Sequence, residues 1–197
     1  MSVNNSNVPE QRSFIEPLKD VIEQAKRGDQ QAMHRLYVLY AKAMLNTAYR
    51  ILNHPEDAED VLQEAFINVF SRLSQYNYQS TFGAWVKRIV INKSIDALKK
   101  KHQNVFLTEA SAAGEEMGSA FSSEDTDDLD QKLNLLYKAL HALPDGYRTV
   151  FSLYMLEGYD HNEISEILKI EVSTSISQLS RAKKKIISLT QNFQHHG

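Results

Sequence analysis

The sequence predicts an all-α protein, two small helical domains joined by a flexible acidic linker. Three observations carry this. Apolar residues recur at threes and fours over long stretches on both sides of the chain's middle. Seven glycines and four prolines in 197 residues leave few helix breakers, and no stretch alternates apolar and polar residues as a half-buried strand does. From Gln103 to Asp130 the character changes: TEASAAGEEMGSAFSSEDTDDLD is rich in small and acidic residues and has no Lys or Arg. Such a segment cannot bury enough apolar surface to order itself.

The elements follow in order. Residues 1–13 are polar and expected to fray. The first domain spans 14–103. Within it Met33, Leu36, Tyr37, Tyr40, Met44, Leu45, Ala48 and Leu52 form the stripe of an amphipathic helix. His54-Pro55 breaks that helix, and Pro55 opens the next, with acids in the first turn as a helix N-terminus favours. This second helix runs to about Leu73 on a buried face of Val61, Leu62, Ala65, Phe66, Val69 and Phe70. A loop from Ser74 to Ser80 precedes a third helix from about Thr81 to Lys101, with Ala84, Val86, Ile89, Val90, Ile95 and Leu98 as its candidate stripe. The linker is 104–128. The second domain, 129–191, opens on Leu129, Leu133, Leu136 and Leu140, and 192–197 is a tail.

Inside the second domain, LPDGYRTVFSLYMLEGYDHNEISEILKIEVSTSISQLSRAKKK reads as a helix-turn-helix. Its first helix is Asn162 to Leu168 and its turn Lys169 to Val172. Its second helix starts at a Ser173/Thr174 cap, with Ile176, Leu179, Ala182 and Ile186 at helical spacing. Ser177, Gln178, Ser180, Arg181, Lys183 and Lys184 are assigned to the outer face. A second helix that is polar and basic on its exposed side fits a DNA major groove.

Composition narrows the function classes. Net charge is −3, so any DNA contact comes from local patches rather than a basic whole. The absence of cysteine excludes disulfides, thiolate metal sites and a Cys nucleophile. No apolar run has bilayer-spanning length, and the N-terminus lacks a signal-peptide core, so cytoplasmic residence is the expectation. The seven histidines have no ligand spacing, and there is no Gly-rich phosphate loop or nucleophile elbow. No enzyme, cofactor or metal is expected.

Two further patches carry chemistry. In EDAEDVLQEAF, Asp57, Asp60, Gln63 and Glu64 share one exposed helical face. A solvated acidic face, or a docking surface for a basic partner, both explain it; a di-metal bundle would need His partners at i+3 or i+4 that are missing. On the third helix Lys87, Arg88, Lys93, Lys99, Lys100 and Lys101 are opposed by one acid, Asp96, with Tyr76, Tyr78, Phe82 and Trp85 nearby. Bases attract phosphate and rings stack on unpaired bases, which suits single-stranded DNA. Core aromatics beside a solvated basic face explain the same residues.

From about Ala32 to Lys185, interrupted only by the linker, the chain resembles the extracytoplasmic-function sigma factors, the compact two-domain group of the bacterial sigma-70 family. RILNHPEDAEDVLQEAFINVF and FGAWVKRIVINKSIDALKKK resemble sigma region 2, and LPDGYRTVFSLYMLEGYDHNEISEIL…STSISQLSRAKKK resembles region 4. The resemblance implies a promoter-recognition and DNA-melting factor for core RNA polymerase, touching its β′ clamp helices and β flap, with an anti-sigma factor as a further partner. It assigns Asp57, Asp60, Gln63 and Glu64 to polymerase. Tyr76, Tyr78, Phe82, Trp85, Arg88, Asn92, Lys93 and Asp96 go to the −10 element as single-stranded DNA. Thr174, Ser177, Gln178, Ser180, Arg181 and Lys184 go to the −35 element. Three positions depart from the family pattern: Ile176 stands where a basic residue is expected, Ser173 where the turn usually has Gly, and Val90-Ile91 where Ala-Arg is common.

Overall fold

The first helical bundle forms where two stops punctuate a helical pattern. The computed structural model describes residues 16–101 and 128–195; the expected frayed N-terminus and all but the last residue of the expected linker lie outside them. Helix α1 is Lys19–Lys26, α2 Gln30–Leu52, α3 Pro55–Ser71 and α4 Phe82–Lys101. Asp29 caps α2 by accepting from the backbone N–H of Gln31 at 2.8 Å and of Ala32 at 3.1 Å. At the far end Asn53 takes a left-handed φ of 57°, which turns the chain so that Pro55 can occupy the first turn of α3.

Helices α2, α3 and α4 pack on one another. Leu36, Met44, Ala48 and Ile51 meet Ala58, Leu62, Ala65, Phe66 and Val69, with Val86, Val90, Ile91, Ile95 and Leu98 from α4. The short α1, which periodicity alone does not reveal, closes this core with Val21, Ile22 and Ala25. Two details differ from the expected stripe of α4. Ala84 is exposed, while Ile91 and Ser94 are buried.

The second bundle comprises α5 (Asp128–His141), α6 (Asp145–Phe151), α7 (His161–Leu168) and α8 (Val172–His195). After α6 the chain continues as a π-helical turn, Ser152–Leu156, and Gly158, at a φ of 82°, allows the reversal into α7. The core is Leu140, Leu143, Val150, Phe151, Leu153, Ile164, Leu168, Leu179, Ala182 and Ile186. The leucine stripe expected to open this domain is only partly inside. Leu133 and Leu136 are exposed with Tyr137, because only the C-terminal part of α5, from Ala139, enters the core. Helix α8 runs to His195, past the expected domain end at Gln191.

The two bundles touch: their buried apolar residues belong to one cluster, Tyr49 packs on the His141 ring at 4.7 Å between centroids, and several polar pairs cross between them. Glu157, its side chain only 3% exposed, receives Arg50 at 2.5 Å and Lys87 at 2.8 Å, and accepts from the Thr47 hydroxyl at 3.1 Å. Burial alone would raise its carboxyl pKa, but hydrogen bonds from Lys87 and Arg50 outweigh burial and hold it below the ordinary range. Asn53 donates to the His141 carbonyl at 3.0 Å and faces the His141 ring nitrogen at 2.5 Å. The fully buried Arg148 donates to Leu143 O at 2.8 Å and to Ile51 O, at the end of α2, at 3.2 Å, and pairs with Asp145. Lys99 reaches Leu168 O at 3.2 Å. No helix among the described residues is long and apolar enough to cross a membrane.

Burial, with Arg148 and Arg50 adding to it, pushes the His141 imidazole down from 6.5 to about 4. The packed arrangement therefore favours neutral His141. That contribution is fully present above pH 6.5 and is lost as pH falls toward 4. The bundles should separate progressively across this window. The chain has no cysteine, so Ser71→Cys and Ser188→Cys give two unique dye sites. Energy transfer between them should drop on acidification, and His141→Gln should flatten the drop between pH 6.5 and 5.

Candidate nucleic-acid interface

The helix-turn-helix is held by side chains that also set which face of α8 looks outward. Asp160 and Glu163 form a reciprocal capping box at the start of α7. Lys169 ends α7 in the left-handed region at a φ of 59°, and α8 begins at Val172, so Ser173 and Thr174 lie inside its first turn rather than capping it. His161 Nδ1 lies 2.8 Å from Ser175 Oγ, tying the two helix starts together. The His161 ring stacks on Tyr154 at 4.6 Å.

The buried stripe of α8 is Ser175, Gln178, Leu179, Ala182 and Ile186. Two expectations are thereby corrected. Gln178, expected on the outer face, is only 8% exposed, and Ile176, expected on the inner stripe, is 51% exposed. The helix enters the core one position round from the assumed phase, so the small Ser175 faces inward against His161. Ser180, Arg181 and Lys184 are exposed, as are Ser173, Lys183 and Lys185, while Thr174 and Ser177 are half-buried. Serines thus dominate the N-terminal part of the outer face, and bases the part beyond Ser180.

On the first bundle the aromatic loop is largely inside. Tyr76 is 2% exposed and Phe82 fully buried. The Tyr76 ring centroid lies 4.8 Å from Tyr78, 5.3 Å from Trp85 and 5.4 Å from Phe82. Glu16 pins the cluster by accepting from the Tyr76 hydroxyl at 3.2 Å and from the Phe82 backbone N–H at 2.8 Å. Tyr78 adopts an uncommon φ of 63° for an aromatic residue. It is held there by its hydroxyl on Glu23 at 2.5 Å and by Lys26 Nζ, 4.5 Å from its ring centre. Lys26 also donates to Tyr76 O at 2.9 Å. Burial first, then the neighbouring glutamates, pushes both tyrosine hydroxyls well above their ordinary pKa, so they stay protonated donors.

Tyr76 and Phe82 are therefore core residues here and offer no free ring face to a base, while Tyr78 and Trp85 are half-buried. The open surface beside them is a stripe on α4. Trp85, Arg88, Asn92 and Asp96 fall at i, i+3, i+7 and i+11, and the last three are exposed. Lys93 instead turns toward α3, pairing with Glu64 at 3.0 Å. Glu16, Glu23, Lys26, Arg148 and Glu157 carried no sequence signal, since each acts on residues distant in the chain.

On α3, Asp60, Gln63 and Glu64 are exposed along one face, which Ile67 extends at 71% exposure. Asp57 is half-buried beside Lys101 at 2.8 Å and His54 at 3.8 Å. Among the described residues no three His, Asp or Glu side chains are grouped to hold a metal.

A stability series separates core from contact residues. Tyr76→Ala should cost about 3–5 kcal/mol in urea unfolding of the full chain, as for a large buried aromatic. Arg88→Ala and Asn92→Ala should change stability by no more than about 0.5 kcal/mol, as exposed positions do.

The Sigma-70 region 2 family model matches residues 36–103 and the Sigma-70 region 4 model residues 133–186. The chain is 31% identical over 177 residues to the ECF RNA polymerase sigma factor SigW of Bacillus subtilis (strain 168), covering 86% of this chain and 94% of that one. It is 27% identical over 178 residues to the ECF RNA polymerase sigma-E factor of Escherichia coli (strain K12), covering 87% and 93%. In fold it is similar to CnrH, solved in complex with the cytosolic domain of CnrY, with a TM-score of 0.52 at 21% identity over 88% of this chain and 97% of that one. It is likewise similar to the sigma factor RpoE, solved with the anti-sigma factor NepR from Bartonella quintana, with a TM-score of 0.53 at 20% identity over 80% and 96%. With both sigma regions matched in order and a relative aligned over almost its whole length, the chain belongs to the ECF sigma factors of the sigma-70 family.

Proposed function

We propose that this protein binds core RNA polymerase and directs it to promoters, reading the −35 element with α8 and stabilising the melted −10 element with the outer face of α4. The observation that carries the reading is the presence, in one chain, of both sigma regions with both faces open to solvent. It performs no covalent chemistry; it supplies contacts that offset the cost of melting. Unstacking a base costs a few kcal/mol, and stacking on an aromatic surface returns about 1–3 kcal/mol. With Tyr76 and Phe82 buried, that surface is Trp85 with Tyr78, flanked by Arg88, Asn92, Lys93 and Asp96.

Asp60, Gln63 and Glu64, with Asp57 at the rim, form the docking face for the β′ clamp helices, and region 4 meets the β flap. An acidic patch suits a basic partner. Thr174, Ser177, Ser180, Arg181 and Lys184 remain the −35 contacts, while Gln178 supports the helix from inside.

The packed arrangement of the free chain is not the one that works on a promoter. Elements about 25 base pairs apart are separated by roughly 85 Å at 3.4 Å per pair. A compact body of this size has a radius of gyration of only about 16 Å. The segment 102–127 can bridge up to about 90 Å when extended, so the polar contacts between bundles must part. The RpoE structure holds a sigma factor with an anti-sigma factor, and the CnrH structure holds CnrH with the cytosolic domain of CnrY; an anti-sigma partner that keeps this chain closed belongs to the same reading.

Run-off transcription with core polymerase, with promoter sites mapped across the genome, tests the function. Free protein should bind duplex promoter DNA weakly at physiological salt and specifically once core is added. Tight specific binding by the chain alone points instead to a stand-alone repressor. Asp60→Lys with Glu64→Lys should abolish co-purification with core while leaving helicity intact, because the only described ion pair it breaks, Glu64–Lys93, is exposed and worth at most about 1 kcal/mol.

A further inference from the structure

Ile176 is the one exposed residue on the N-terminal part of the outer face of α8 whose side chain can neither donate nor accept a hydrogen bond; Val172, a turn before it, is half-buried. It is 51% exposed. Ser173 and Ser180, at i−3 and i+4, are exposed on the same line, and Ser177 is half-buried next to it. The bases, Arg181, Lys183, Lys184 and Lys185, begin more than a turn further on. In a helix-turn-helix the N-terminal residues of the second helix meet base edges, and the charged residues beyond them are placed for phosphates. An aliphatic side chain at a base edge has one favourable partner in the major groove, the C5-methyl group of thymine.

We propose that Ile176 reads a thymine methyl in the −35 element, so that this position specifies T·A by apolar contact where a basic side chain would specify guanine. Arg and Lys donate to guanine O6 and N7; Ile176 can satisfy neither acceptor, and would leave them dehydrated and unpaired. A thymine methyl instead buries apolar surface against apolar surface. The neighbouring serines accept or donate and do not fix one base, so discrimination at this step of the helix falls to Ile176. The inference rests on the proposed contact between α8 and the −35 element.

The test uses holoenzyme, the full chain with core polymerase, on a promoter it transcribes. Each −35 thymine is replaced in turn by deoxyuridine, which keeps base pairing and removes only the methyl. One replacement should weaken binding by about fourfold, the worth of one buried methyl-sized group. Ile176→Ala should show the same loss on unmodified DNA and no further loss at that deoxyuridine. Ile176→Arg should shift preference there from T toward G. Ile187→Ala is the control: Ile187 is also exposed, at 58%, but lies about 16 Å along the helix, and it should respond to deoxyuridine as the unsubstituted protein does. The proposal is overturned if the −35 element has no T·A pair, or if no methyl shows coupling to Ile176. Failure of the underlying reading looks different: Arg181→Ala and Lys184→Ala would then leave promoter binding unchanged.

Discussion

The arrangement of this protein turns on one buried carboxylate. Glu157 sits at the join between a π-helical turn and the helix-turn-helix, yet its partners, Thr47, Arg50 and Lys87, belong to the other bundle. A carboxylate this far from water is tolerable only while both cations stay in place. The contacts around it are of the same kind. Asn53 meets His141, Arg148 reaches the end of α2, and Lys99 meets the end of α7. Each is a hydrogen bond between groups that water could satisfy equally well. Hydrogen bonds of this kind specify one orientation but contribute little net free energy, because folding exchanges protein–water bonds for protein–protein bonds. A partner that offers either bundle better contacts can therefore open the interface.

Much of the fold was legible because long amphipathic helices announce themselves. The break at His54-Pro55 and the limits of α2, α3 and α4 follow from periodicity, capping and proline chemistry acting locally. What periodicity does not convey is helix phase to within one position. In α8 the expected stripe was Ile176, Leu179, Ala182 and Ile186; three of the four are inside, but Ser175 replaces Ile176 because a hydroxyl is needed opposite His161. Hydrophobicity named the wrong residue there because a polar contact set the rotation. The same limit hid Glu16. A single acid ahead of a short helix has no pattern, yet it ties Tyr76 and Phe82 into the core, and this decides that the loop's aromatics mostly support the site rather than form it.

The acidic faces and the basic faces are already partly neutralised within the chain. Lys93 pairs with Glu64 and Lys101 with Asp57 across α3 and α4. Such exposed pairs stabilise by at most about 1 kcal/mol each, but they tie the acidic face of α3 and the basic face of α4 to one set of charges. Removing either acid would leave its lysine without that counter-charge.

A net charge of −3 then becomes intelligible. Nonspecific affinity for DNA comes from neutralising phosphates and grows with every free cation. Cations paired with the chain's own acids contribute less to that affinity than unpaired ones do. The Glu64–Lys93 and Asp57–Lys101 pairs keep two cations of the first bundle beside acids of the same chain, and the serine and aliphatic part of α8 is exposed without adding charge. In the proposed reading, specificity rests more on where polar and apolar groups stand along α8 than on how many bases the chain carries.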